Sequence, residues 1–129
     1  SDVPGYFIPV TILDNPPENS RIVQEEQFGP VLPLLKFDNY DDVVARANAT
    51  EYGLGGSIWG NDEDKAFEIA KRIQSGTVWV NEVQHLSPTA AFGGVKQSGL
   101  GVEGGEEGLL EYTNAQTLVR KKRAPAPAG

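Results

Sequence analysis

Cysteine is absent from this chain of 129 residues, and histidine occurs once, as His85. Without cysteine the chain forms no disulfide bond and offers no thiolate nucleophile. A single histidine, with no cysteine and no cluster of carboxylates, does not make a set of metal ligands. The sequence therefore predicts no metal site and no cysteine-based catalytic centre within these residues.

Excess positive charge and long apolar runs are also missing. Eighteen acidic side chains outnumber eleven basic ones, and the resulting net charge of −7 argues against a nucleic-acid partner. No apolar stretch approaches the roughly 20 residues of a membrane-spanning helix, and no signal-peptide pattern opens the chain. We therefore expect a cytoplasmic protein that binds neither membrane nor nucleic acid.

The segment 31–81 alternates between strand-like and helix-like patterns. Nearly continuous apolar runs predict strands at 31–37, 54–59 and 77–81, and apolar side chains at helical spacing predict a helix between each pair. Asp38 or Asn39 is expected to cap the first helix, and Asn61 the second. This βαβαβ order predicts an α/β fold with one parallel sheet whose strands are covered on both faces.

The flanking segments are less regular. Residues 6–13 predict an edge strand interrupted by Pro9, and a glycine-rich loop follows residue 81. We expect a short helix at 106–112 and a last strand at 117–120. The residues 99–104 match the dinucleotide fingerprint G-x-G-x-x-G, but a glycine-rich loop precedes the match, so we interpret it as a turn into the last helix.

Two short runs carry most of the chemical information, EEQFGPV at 25–31 and FGGVKQSG at 92–99. In the first, a carboxylate can accept two hydrogen bonds from a diol, and the ring of Phe28 can pack against a flat heterocycle. The alternative is an ordinary strand entrance with a turn.

Taken together with YGL at 52–54 and SGTVWVN at 75–81, these runs make the chain resemble the C-terminal part of the NAD(P)-dependent aldehyde dehydrogenase superfamily. The resemblance covers residues 5–119. It implies an enzyme that oxidises an aldehyde to a carboxylic acid and reduces NAD or NADP. The family's catalytic cysteine, glutamate base and cofactor domain would precede Ser1, so we expect a fragment that is inactive alone and binds no cofactor tightly.

The resemblance also implies roles for individual residues. Glu26 would bind the hydroxyls of the nicotinamide-side ribose, Phe28 would pack at the nicotinamide end, and Phe92 would line the substrate tunnel. Glu103 would lie in a proton-relay path, but Val102 replaces the arginine that commonly precedes it, which removes its charge partner.

The resemblance divides the chain into catalytic-domain residues 1–112, an oligomerisation strand at 113–123 and a disordered tail at 124–129. The last strand would pair with a neighbouring subunit and build a homo-oligomer. The alternative is a non-enzymatic α/β interaction module that uses an exposed sheet edge. We expect Asn81 and Lys96 to hold loops by hydrogen bonds, and His85 to be a plain loop residue.

Overall fold

The computed structural model describes residues 4–122, which form four helices and six strands in α/β order. The helices are α1 (Arg21–Gln24), α2 (Tyr40–Asn48), α3 (Glu63–Ala70) and α4 (Gly105–Leu110), and the strands are β1 (Thr11–Asp14), β2 (Val31–Leu34), β3 (Gly55–Ile58), β4 (Thr77–Val80), β5 (Phe92–Gly93) and β6 (Val102–Glu103).

The strands pair in twos, so the prediction of one continuous βαβαβ sheet is wrong for the described residues. Strand β1 pairs with β2 in parallel, and β3 pairs with β4 in parallel, but no backbone ladder joins β2 to β3. Each parallel pair has a helix in its crossover, α1 in the first and α3 in the second. Apolar patterning identifies strands correctly but does not specify which neighbour each one pairs with.

Side-chain caps fix the starts of the two longer helices. The Oδ1 of Asn39 accepts hydrogen bonds from the backbone N–H groups of Asp41 at 2.7 Å and Asp42 at 3.2 Å, which selects one of the two predicted caps of α2. Helix α3 is capped by Asp62, whose Oδ1 accepts from the Lys65 N–H at 3.0 Å, and not by Asn61 as predicted. The helix therefore begins one residue later than the capping pattern indicated.

The buried core is small and lies between the two longer helices. Its side chains are Val44 of α2 with Ala66 and Ala70 of α3, and α3 packs on β3 and β4. The expectation that the strands are covered on both faces is wrong for β1 and β2, whereas all four residues of β4 are half-buried. Residues of β1 and β2 alternate between half-buried and exposed, which is the pattern of a sheet covered on one face.

The last third of the described chain departs further from prediction. The glycine-rich loop contains an antiparallel pair, β5 with β6, joined through a 3₁₀ turn at Lys96–Ser98. Helix α4 begins and ends slightly earlier than expected. The predicted strand at 117–120 has no regular structure in the described chain, because it has no ladder partner there. The predicted tail at 124–129 lies outside the described residues.

None of the helices in residues 4–122 is long and apolar enough to cross a membrane.

Candidate functional site

The backbone of Gly53 is the point at which three of the four signature runs meet. Its N–H donates to the Oγ of Ser98 at 2.8 Å, and its carbonyl accepts from the N–H groups of Gly76 and Val95, each at 3.0 Å. A Cβ at position 53 would lie 2.6 Å from the carbonyl oxygen of Gln74 and from Cγ2 of Val95, so only glycine permits this approach. The runs are thus parts of one backbone junction.

Hydrogen bonds of Lys96 connect the FGGVKQSG run to the C-terminal end of α2. Its Nζ donates to the carbonyl oxygens of Asn48 at 2.7 Å and Thr50 at 3.0 Å, while the neighbouring N–H of Gln97 donates to the Glu51 carbonyl at 2.9 Å. A cation at the C-terminus of a helix also interacts favourably with the exposed carbonyls there. These contacts agree with the structural role expected for Lys96.

Asn81 closes the other end of the β3–β4 unit. Its side chain accepts from the Gly60 N–H at 2.8 Å and donates to the Gly60 carbonyl at 2.9 Å. The backbone of Asn81 itself has a positive φ of 54°, a conformation that asparagine tolerates better than most residues. The structure therefore gives Asn81 the loop-holding role that was expected.

Glu26 lines a groove of about 620 Å³ beside this junction. The groove is lined by glycines, by polar residues that include Thr50, Ser75, Gln97 and Ser98, and by the apolar residues Ala47, Leu54 and Ile73. Glu26 itself is exposed. The EEQFGPV and FGGVKQSG runs, which are more than 60 positions apart, therefore face the same groove.

The two adjacent glutamates of the EEQFGPV run have different partners. Arg21 donates to both carboxylate oxygens of Glu25, each at 2.8 Å, and this hydrogen bonding lowers the pKa of Glu25. The same contact raises the pKa of Arg21. Glu26 has no ion-pair partner within the described residues, so its oxygens are available to hydroxyl donors.

Tyr52 also lines the groove, although no role was predicted for it. It is half-buried, and its pKa is raised, first by the negative charge of Glu51 and then by desolvation, with smaller contributions from Glu26 and Glu25. Its phenol therefore stays protonated over a wider pH range and remains a hydrogen-bond donor. The YGL run at 52–54 contains this tyrosine, but the run alone indicates only the resemblance to the family.

Phe92 and Glu103, two predicted site residues, are directly opposite each other across the β5–β6 pair. Directly opposed residues of an antiparallel pair project from the same face. Phe92 is half-buried and Glu103 is exposed, and both line a second groove that shares Leu54 and Ser98 with the Glu26 groove. The structure thus places the expected tunnel residue and the expected relay carboxylate together, next to the Glu26 groove.

Phe28 and His85 do not line either of these grooves. The ring of Phe28 is 94% exposed. His85 is also exposed, and its Nδ1 lies 3.3 Å from the carboxylate of Glu82. No group of three or more potential metal ligands occurs among the residues that the structure describes.

The family model of the aldehyde dehydrogenase family matches residues 1–118. The chain belongs to this family.

Similar proteins are found among both curated sequences and solved structures. Aldehyde dehydrogenase 1A1 of Bos taurus is 48% identical over 117 residues, which are 91% of this chain and 23% of that protein. Retinaldehyde dehydrogenase 3 of Mus musculus is 44% identical over 123 residues, or 95% of this chain and 24% of that protein. The chain therefore spans about a quarter of the length of these relatives.

Two solved structures resemble the fold closely. The Mycobacterium tuberculosis aldehyde dehydrogenase complexed with NAD+ has a TM-score of 0.80 and 40% identity, covering 85% of this chain and 23% of that one. The betaine aldehyde dehydrogenase of Staphylococcus aureus in complex with NAD+ has a TM-score of 0.75 and 42% identity, covering 78% and 20%.

Proposed function

We propose that this segment supplies the cofactor-ribose contact and part of the substrate tunnel of an NAD(P)-dependent aldehyde dehydrogenase that oxidises an aldehyde to a carboxylic acid. The observation that carries the proposal is Glu26, which lines a mixed polar and apolar groove and whose carboxylate has no ion-pair partner within the described residues. A carboxylate can accept both hydroxyl protons of a ribose diol. Similar proteins of known structure were solved with NAD+.

The residues around Glu26 fit such a group. Gly56, which has no side chain beside Ile73 and Ser75, leaves room at the groove wall, and Ser75, Gln97 and Ser98 supply further polar groups. Phe28, exposed two residues beyond Glu26, can cover the flat nicotinamide end, and the bound cofactor would supply hydride acceptance. Preference between NAD and NADP depends on adenosine-side contacts outside this segment.

Phe92 and Glu103 form the substrate side of the proposal. The half-buried ring of Phe92 offers an apolar wall for an aldehyde, and Glu103 opposite it offers a carboxylate that can take up or release a proton. Val102 before Glu103 leaves that carboxylate without an adjacent cation, so Glu103 is a candidate relay residue only.

The isolated chain should not oxidise aldehydes. It has no cysteine, and its hydroxyl groups are poor nucleophiles without an activating base. The proposal extends to a cytoplasmic homo-oligomer in which residues 113–123 pair with a neighbouring subunit. In support, Leu118 and Val119 are 84% and 91% exposed, and residues 114–122 form no ladder within the described chain.

The test is Glu26→Gln in the intact enzyme that carries this segment. The amide keeps the size of the side chain but loses the charge, and losing a charged acceptor costs about 1.5–3 kcal/mol, so NAD binding should weaken about 10- to 100-fold. Calorimetric titration of NAD measures this. The matched control is Glu68→Gln, which removes an exposed carboxylate paired with Lys71 on α3, away from the groove.

Unchanged NAD affinity and unchanged single-turnover hydride transfer in Glu26→Gln would remove the ribose assignment. The interaction-module alternative is favoured by one observation, the exposed apolar face of the β1–β2 sheet, which carries Ile12, Leu32 and Leu34. A natural polypeptide with the mass of this segment alone would support the module, and a mass about four times greater would support the enzyme.

A further inference from the structure

Helix α1 ends two residues before Glu26, and its apolar side chains, Ile22 and Val23, are only half-buried. It has four residues and none of them is buried. A helix this short is not stable by itself, so its orientation depends on contacts to neighbouring elements. The polar contacts that connect it to α2 therefore contribute to where Glu26 lies.

The nearest such contacts begin at Arg46 of α2. Its side chain is about one-quarter exposed; Nε donates to the Glu18 carboxylate at 2.6 Å and Nη1 to the Lys36 carbonyl at 2.9 Å. Nη1 also approaches Asp42, one turn earlier on the same helix, at 3.2 Å. A planar guanidinium can hold several acceptors in fixed directions, which an ammonium cannot.

Glu18, which binds Arg46 through its side chain, contacts α1 through its backbone. Its backbone carbonyl accepts a hydrogen bond from Nε2 of Gln24, the last residue of α1, at 2.6 Å. Gln24 is two positions before Glu26. On the other side of the link, the residue after Arg46 is Ala47, which lines the same groove as Glu26. The path Arg46–Glu18–Gln24, hereafter the polar link, thus joins the groove wall on α2 to the residue that faces it.

We propose that Arg46 is a positioning residue for cofactor binding, which acts through the polar link to hold Glu26 over the groove. This inference rests on the proposed ribose role of Glu26. Arg46 does not line the groove described for Glu26, so its removal should affect the cofactor through the placement of Glu26. The inference is specific to the cofactor and predicts no direct effect on the aldehyde.

The experiment compares three variants of the intact enzyme. Arg46→Met removes the first contact of the polar link and Gln24→Met removes the last, so a folding defect in one variant does not decide the outcome. Arg72→Met is the matched control, because Arg72 pairs with Asp41 at 2.6 Å and joins α3 to α2 without reaching α1. NAD affinity is measured by calorimetry, and the KM for aldehyde at saturating NAD.

We expect Arg46→Met and Gln24→Met to weaken NAD binding about three- to tenfold, less than loss of the Glu26 contact itself, and to leave the aldehyde KM unchanged. Arg46→Lys should recover part of the loss, since an ammonium can still reach Glu18. Hydrogen exchange of the cofactor-free enzyme should be faster over residues 21–28 in both variants. The Arg72→Met control should change neither NAD affinity nor this exchange.

A double-mutant cycle with Glu26→Gln separates this inference from the proposed function. If Arg46 acts through Glu26, adding Arg46→Met to Glu26→Gln should weaken NAD binding no further. Fully additive losses, or NAD affinity within twofold of wild type in Arg46→Met and Gln24→Met while Glu26→Gln binds weakly, would overturn the positioning role. If Glu26→Gln binds normally, the ribose assignment fails and the positioning role for the cofactor fails with it, although faster exchange over 21–28 would still show a structural link.

Discussion

At the scale of single residues, the adjacent glutamates 25 and 26 show how one ion pair assigns two chemically identical side chains to different tasks. Arg21, one helical turn before Glu25, forms a two-pronged contact with it. The carboxylate after it in the sequence therefore stays free of that cation. The pair follows from the helix, since residues four apart on a helix are neighbours, but the sequence did not predict a helix at this position.

The Arg21 contact makes a prediction about pH. Replacing Arg21 with Gln should raise the pKa of Glu25 toward its ordinary value of 4.5, because the hydrogen bonding that lowers it is lost. In the unmodified chain the lowered pKa means that the pair stabilises the folded state above about pH 4.5, and that this contribution is lost as the pH falls through the lowered value. Carbon-13 NMR titration of glutamate carboxyl groups measures the shift.

The control for this prediction is Arg72→Gln, which removes a guanidinium paired with Asp41 far from α1 in sequence. The Glu25 titration should be unaffected by it. An unchanged Glu25 midpoint in Arg21→Gln would show that the pair does not persist in solution, where exposed ion pairs are strongly screened.

Glycine was the residue type whose role sequence alone could not resolve. Gly53 and Gly76 are required because backbone from distant parts of the chain comes within contact distance, and a Cβ at Gly76 would lie 1.6 Å from the Gly93 carbonyl oxygen. Gly60, in contrast, has open space around its Cβ position. Composition counts all three alike, and only tertiary structure distinguishes them.

At the scale of elements, local sequence patterns predicted the presence and type of helices and strands better than they predicted which strands pair. Helices α2 and α3 follow from apolar spacing and polar caps, strands β2 and β3 follow from short apolar runs, and β4 follows from its β-branched residues. The separation into two parallel sheets and the β5–β6 pair depended on long-range contacts, such as those of Gly53, that no local pattern encodes. Helix α1 was not predicted because its four residues are too few to show a helical apolar repeat.

The start of α3 provides a test of capping. Asp62→Ala should destabilise the helix by about 1 kcal/mol, because the N–H of Lys65 loses the acceptor that the Asp62 side chain provides at 3.0 Å. Asn61→Ala, at the position that the sequence pattern suggested, should cost much less. Native-state hydrogen exchange of the α3 amides distinguishes the two, and an equal loss of protection in both variants would show that Asp62 is not the dominant cap.

At the scale of the whole molecule, the surface is too large for a chain that folds around its own core. It exposes 11140 Å², whereas a compact monomer of 13.9 kDa would expose about 6,700 Å². Only Val44, Ala66 and Ala70 form the buried apolar core of the described chain. Large apolar side chains face solvent at both ends of the described residues, among them Tyr6, Phe7, Leu118 and Val119.

This exposure predicts that the 129-residue chain associates with itself. The excess over a compact monomer is about 4,400 Å², well above the roughly 1,600 Å² buried in a stable protein–protein interface. Each Å² of apolar surface removed from water contributes about 25 cal/mol. The net charge of −7 opposes association, but at physiological salt its repulsion is screened within about 8 Å.

Sedimentation velocity over a concentration series tests self-association, and paired substitutions locate the surface responsible. Leu32→Glu with Leu34→Glu places charge on the exposed face of the β1–β2 sheet and should shift the chain toward monomer. Leu100→Glu is the control, because this leucine is 99% exposed in a loop apart from that sheet. Unpaired strand edges should still favour some association in both variants, since charge on one face leaves the backbone groups of the edges free.

A single monomeric species of the unmodified chain at high micromolar concentration would contradict the prediction. The exposed apolar faces would then be closed within one chain in solution, and the interaction-module alternative would gain support.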